Sequence, residues 1–203
     1  MRKTKDDAEI TRQRILDSAM TVFTRAGYSN ARLEDIAVEA GVTRGAVYHH
    51  FGGKPEVYTA LVNERFKEAN SAFSDILKSN RSPKEMLRAI IIENLSLLEK
   101  SEEYRKIQEL VLFKTSYLPE LEEGMQYKIK STNATLDYID EIVRKGIELG
   151  EFDKTLNPRA VAVTALGLFG GVSTLWLLDC SMFSAKEYAE KVAEIFIKGI
   201  SAS

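Results

Sequence analysis

Arg44, Tyr48 and His49 stand close together within the stretch Arg32–Phe51, with the small residues Gly45 and Ala46 between them. A guanidinium grips a guanine edge or a phosphate through paired N–H groups, a histidine donates, and a phenol reaches a phosphate. Small residues beside them let a helix carrying these groups come close to a nucleic acid. Arg32 and Lys54 bracket the stretch, and Pro55 suits the first turn of a helix that Lys54 begins. A cation and free N–H groups then meet at one helix start, which is a place that binds phosphate. Competing chemistries find no support. Cys180 has no His or Asp at nucleophile spacing and is expected to be a buried small hydrophobe. His49 and His50 are adjacent, so on a helix they point about 100° apart and do not share a metal. There is no phosphate loop, zinc spacing or dinucleotide fingerprint, and the pairs Glu102–Glu103, Glu122–Glu123 and Asp140–Glu141 are expected on solvated faces. The chain is read as a non-enzyme without a cofactor or metal.

Two short helices with a tight corner must position the candidate residues. Leu33, Ile36, Ala37 and Ala40 recur at helical spacing and give the first helix an apolar stripe. Gly41 stands where a helix end wants a left-handed residue, and Val42 plugs the corner. Thr43 is a good N-cap for the second helix, in which Val47 and Phe51 face inward. Arg44, Gly45, Tyr48 and His49 are left on other faces. This is a helix-turn-helix pattern with its second helix turned outward. A preceding helix from about Asp7 to Ala26, closed by Gly27, braces the corner.

The run LEDIAVEAGVTRGAVYHHFGGKPEVYTALV, preceded by AEITRQRILDSAMTVFTRAGYSNA, closely resembles the DNA-binding domain of the TetR family of bacterial repressors over about residues 8–65. It is nearest to the branch of the AcrR and TtgR multidrug-efflux regulators, whose basic N-terminal RKTK also occurs here as Arg2–Lys5. The resemblance implies a reading head at residues 8–53 and a ligand-binding and dimerisation region at residues 54–203. It also implies a palindromic operator read by two copies, since one helix-turn-helix reads few bases and two reach half-sites about 34–36 Å apart.

Composition agrees with an all-α protein of about nine helices. The chain has 203 residues, 44% of them hydrophobic and 29% charged, with only four prolines and one cysteine. No period-two strand pattern, repeat or low-complexity tract occurs, and the single cysteine suits a reducing cytoplasm. The charged N-terminus shows no signal peptide. Residues 1–54 carry nine Lys/Arg against seven Asp/Glu, so the head is mildly basic inside a chain of net charge −2. Helical patterns follow over 54–79 (including Phe66 and Phe73), from Ser82–Pro83 through Ile90 and Asn94, from Ser101 to Pro119, from about Leu121 to Leu149, over Pro158–Leu178 and over Ala185–Ile200.

Ala160–Leu178 is nineteen residues without a charge, long enough to span a membrane, and Gly167 and Gly171 make a GxxxG step. Thr164, Ser173, Thr174, the internal glycines and the lack of a basic cluster on one flank argue instead for a helix buried on all sides. The resemblance places this helix and the last one in a four-helix interface between two copies.

Large apolar residues in the middle helices, with the uncharged polar Asn94, Gln108 and Asn133 among them, suggest a pocket for a hydrophobic or aromatic small molecule. Gly167, Gly170 and Gly171 beside Phe169 and Trp176 point the same way. The resemblance implies that Tyr104–Lys114 and the Tyr117–Leu121 turn line it, with Gln108 where related regulators have Asn, and with Leu112 and Phe113 where they have histidines. Expected lining residues are Phe66, Ile90, Asn94, Gln108, Leu112, Phe113, Leu136, Phe169, Ser173 and Trp176. A helical small-molecule carrier that has kept the fold without reading DNA is the alternative.

Overall fold

A computed structural model describes residues 5–71, 74–116 and 118–202. Arg2, Lys3, Phe73 and Tyr117 therefore lie outside the described residues. The elements are α1 (Lys5–Asn30), α2 (Leu33–Glu39), α3 (Arg44–Phe51), α4 (Lys54–Ser71), α5 (Ser74–Lys78), α6 (Pro83–Lys100), α7 (Glu102–Phe113), a 3-10 turn (Pro119–Leu121), α8 (Glu122–Glu148), α9 (Pro158–Leu178) and α10 (Ala185–Ile200). The fold is all-α. Among the described residues, the strand-like pairing consists of an isolated bridge between Phe152 and Ser201.

The chain packs as two compact units, residues 1–68 with 106–124, and residues 69–105 with 125–203. The first takes in more than residues 8–53: the start of α4 and the segment 106–124 pack with the head. α4 and α7 each have residues in both units.

In the first unit Ile15, Leu16 and Phe23 of α1 are fully buried with Ile36 of α2, Val47 of α3, Leu61 of α4 and Leu110 of α7. Arg12 of α1 bonds Glu64 of α4 at 2.7 Å, and Arg65 pairs with Asp17. α1 does not stop at Ala26. Gly27, at φ 74° and ψ 160°, interrupts it, and a last turn continues to Asn30.

In the second unit α6 packs most extensively on α10, and both touch α9. The small residues of α10 suit a close approach: Ala185, Ala189 and Ala193 are buried, as are Leu87, Ile91, Leu95 and Leu98 of α6. Ser82 opens α6 with a capping box, its Oγ accepting from Glu85 N while the Glu85 carboxylate accepts from Ser82 N. The Asp140 carboxylate is buried rather than solvated, because Arg144 one turn on pairs with it at 2.5 Å. Cys180 is exposed rather than buried, since it follows the end of α9 in a turn that Asp179 closes by accepting from Ser181 N–H and Oγ–H.

The unit is closed where α8 ends. Glu151 N and Phe152 N both bond Gly146 O, and Asp153 N bonds Ile200 O. The Phe152 ring lies so close over Gly146 that a Cβ there would stand 2.2 Å from it. Overpacking of this kind costs about 1–3 kcal/mol. Gly146→Ala is expected to lower the thermal unfolding midpoint accordingly, with helix content retained; an unchanged midpoint would mean that the ring moves aside freely.

Candidate functional site

The corner forms as its residues dictate. Gly41 takes φ 60°, Gly41 N bonds Val38 O, and Val42 N bonds Ala37 O. Thr43 Oγ1 then accepts from Ala46 N at 3.1 Å and starts α3. Val47 anchors α3 in the core, whereas Phe51 is only half-buried, under the Arg12 guanidinium at 5.6 Å. Thr43, Arg44, Gly45, Tyr48 and His49 are exposed, and Ala46 is half-buried among them. Arg32 is exposed at the head of α2, where its backbone N–H bonds Asp35.

Arg44 is not a loose side chain. Its guanidinium pairs with Glu34 of α2 at 2.7 Å and lies 5.4 Å from the centre of the Tyr48 ring. Glu34 was not anticipated from sequence. Its position in the first turn of α2 faces Arg44 only after the corner folds.

Lys54 has an engagement the sequence did not indicate. Its ammonium donates to Tyr28 O at 3.1 Å and Ala31 O at 3.2 Å, and sits 4.4 Å over the Tyr28 ring. The sequence reads this cation as offered to phosphate; in the folded chain the carbonyl end of α1 engages it. Three further bonds converge there. Tyr28 N donates to Lys114 O, Lys114 Nζ to Thr24 O at 2.7 Å, and the Tyr28 hydroxyl to Glu120 at 2.6 Å. The rings of Phe23, Tyr28 and Tyr58 pack within 5.0–5.7 Å of each other. Burial, and then the Glu120 carboxylate accepting its hydrogen bond, push the Tyr28 phenol well above its ordinary value.

The expected lining residues fall in both units and are taken unit by unit. In the first, Gln108 is buried and Phe66 half-buried. Leu112 and Phe113 are 42% and 44% exposed, so neither is enclosed within the chain. Phe113 instead borders an open cleft of about 360 Å³ with Arg25, Gly27, Asn30 and Lys114. In the second, Ile90, Leu136 and Phe169 are half-buried, Asn94 donates to Ile90 O on its own helix, and Ser173 and Trp176 are buried. Gly167, Gly170 and Gly171 meet nothing within 4 Å and lie on the exposed face of α9, with Val163, Leu175 and Leu178 more than half exposed. Their missing volume therefore borders open space and not an internal cavity. The expectation of burial on all sides is likewise corrected for a single chain: α9 is long and apolar enough to cross a membrane, yet α6 and α10 cover one face only.

Residues 15–61 match bacterial regulatory proteins of the tetR family, and residues 82–201 match the C-terminal region of MAATS-type transcriptional repressors. The chain belongs to the TetR family. The regulator AcrR of Shigella flexneri is 30% identical over 97% of this chain and 92% of its own. NalD, the secondary repressor of the MexAB-OprM multidrug efflux pump in Pseudomonas aeruginosa, superposes with a TM-score of 0.87 at 25% identity, over 96% of this chain and 98% of its own. SmeT, the repressor of the Stenotrophomonas maltophilia efflux pump SmeDEF, solved with triclosan, superposes with a TM-score of 0.78 at 26% identity, over 96% and 93%. The chain is a DNA-binding transcriptional regulator of this family, with α2 and α3 as its helix-turn-helix.

Two expectations follow from the carbonyl end of α1. Lys54→Ala leaves its carbonyls without their cation and is expected to destabilise the protein by about 1–3 kcal/mol in denaturant unfolding. No loss would return Lys54 to a purely surface role. The Tyr28 phenol holds its proton more tightly folded than unfolded, so its contribution is full below about pH 10 and is lost as pH rises beyond that. Tyr28→Phe should flatten the alkaline limb of the stability profile, and an unaltered limb would contradict the assignment.

Proposed function

We propose that this protein is a homodimeric cytoplasmic repressor that binds a palindromic operator before a multidrug efflux or transport operon. A hydrophobic small molecule releases it. One observation carries the DNA half of this reading: Val47 pins α3 to the core while Arg44, Gly45, Tyr48 and His49 stand exposed beside it. Arg32, Thr43 and Ala46 border the same surface, and Lys54 starts the next helix at the carbonyl end of α1. The open apolar face of α9, with Ile195 of α10 74% exposed, supports pairing of two copies, because so large an apolar surface is rarely left to water. The efflux relatives and the triclosan complex of SmeT support the effector half.

Because α4 and α7 run through both units, an effector that prefers one packing of the second unit alters the separation of the two reading helices. The effector then weakens DNA binding by its differential affinity for the two states, and operator DNA weakens effector binding by the same factor.

Arg44 supplies base discrimination in this reading, and Glu34 holds it off non-operator phosphates. Genomic selection followed by gel shifts on the operator recovered tests both roles. Arg44→Ala should cost about 1–3 kcal/mol and relax preference at one base position. Glu34→Gln should strengthen binding to random DNA and narrow the operator-to-random ratio. A loss spread evenly over all sequences makes Arg44 a phosphate contact, and recovery of no palindrome overturns the reading.

A further inference from the structure

The second unit, taken by itself, buries two polar atoms that its own packing leaves without partners. Ser173 and Trp176 of α9 are 1% and 3% exposed, and Ser173 Oγ and Trp176 Nε1 make no hydrogen bond. A helical hydroxyl has an easy remedy in the carbonyl four residues back. Thr164 takes it with Ala160 O and Thr174 with Gly170 O, each at 2.8 Å. Ser173, on the same helix, does not. An indole N–H is a donor only and needs an acceptor from elsewhere. A buried polar group left unsatisfied forfeits its hydration without compensation, so two on one face demand a physical reason. Residues three apart on a helix are neighbours, with Cβ atoms about 5–6 Å apart, close enough for both donors to meet one oxygen.

We infer that Ser173 and Trp176 are the polar anchor of an effector site, both donating to one oxygen of a neutral and otherwise apolar molecule, such as an aromatic ketone. This rests on the effector-responsive reading above and adds the ligand's chemistry. Two donors select a carbonyl or ether oxygen, which has two lone pairs. Charge is excluded by the surroundings. Among the described residues of the second unit, the other buried polar side chains are Ser96 and Asp140, and Asp140 is already paired with Arg144. No buried cation is there to hold a carboxylate or phosphate, and burying an unpaired anion is prohibitive. The rest of the buried α9 face is Val161, Ala162 and Ala165.

Trp176 is the only tryptophan in the chain, so its fluorescence reports on this site in the full-length protein. The probes are 9-fluorenone, its hydrocarbon counterpart fluorene, and the anion fluorene-9-carboxylate, with affinities from calorimetry. Fluorenone is expected to bind saturably, to change Trp176 emission, and to bind about tenfold tighter than fluorene, with the anion weakest. Ser173→Ala and Trp176→Phe should each weaken fluorenone by about three- to tenfold and leave fluorene unchanged. Without ligand, Ser173→Ala should not lower the unfolding midpoint, since it removes a group with no partner. This variant alone decides the matter if Trp176→Phe folds poorly. The inference is overturned if fluorenone does not bind saturably, binds no better than fluorene, or if Ser173→Ala destabilises the free protein. Operator release is scored separately. Ser173-dependent binding without release upholds the anchor and sinks the effector reading. Release that ignores both substitutions does the opposite.

Discussion

The carbonyl end of α1 is the joint on which the reading head depends. A helix terminus leaves carbonyls without intrahelical partners and attracts cations. Here two lysines from distant parts of the chain answer that demand, Lys54 at Tyr28 O and Ala31 O, and Lys114 at Thr24 O. Gly27 makes the arrangement possible, because its left-handed φ of 74° swings the last turn so that Tyr28 N meets Lys114 O. Tyr28 then fills the space with a buried ring and ends on Glu120. The segment 106–124 is thus part of the head's own structure and not an appendage to it.

Against that rigid background the reading face is held by weak interactions, and the difference suits its task. The Arg44–Glu34 pair is more than half exposed on both sides. Solvent screens such a pair and leaves it weak, whereas a bidentate arginine contact with guanine is strong enough to discriminate between bases. In the reading proposed above, exchange of Glu34 for a base edge is downhill at the right sequence, while at a random one the carboxylate competes only with phosphates. Val47 and Thr43 fix where α3 starts and points, so only the side chain has to change partner.

What the sequence made legible was local. The corner is written in Gly41 and Thr43, each acting within four residues of itself, and the start of α6 follows from Ser82 and Pro83 in the same way. The joint was not legible, because Tyr28 and Glu120 are 92 residues apart and nothing in either neighbourhood refers to the other. Lys54 was read from the residues beside it, which describe a helix start, while its partners lie at the end of another helix. For α9, apolar content announced burial without saying which face the chain itself covers. Its glycines and its Ser173–Trp176 pair lie on different faces with different consequences, and only the folded arrangement separates them.

Native-state hydrogen exchange on the full-length protein tests most directly whether head and segment 106–124 are one cooperative body. The amides of Tyr28, Val47 and Lys114 are all hydrogen-bonded and report on the joint, the reading helix and the segment. The account predicts a single opening free energy shared by the three. Opening of Lys114 at a distinctly lower free energy, with Tyr28 and Val47 still protected, would contradict it.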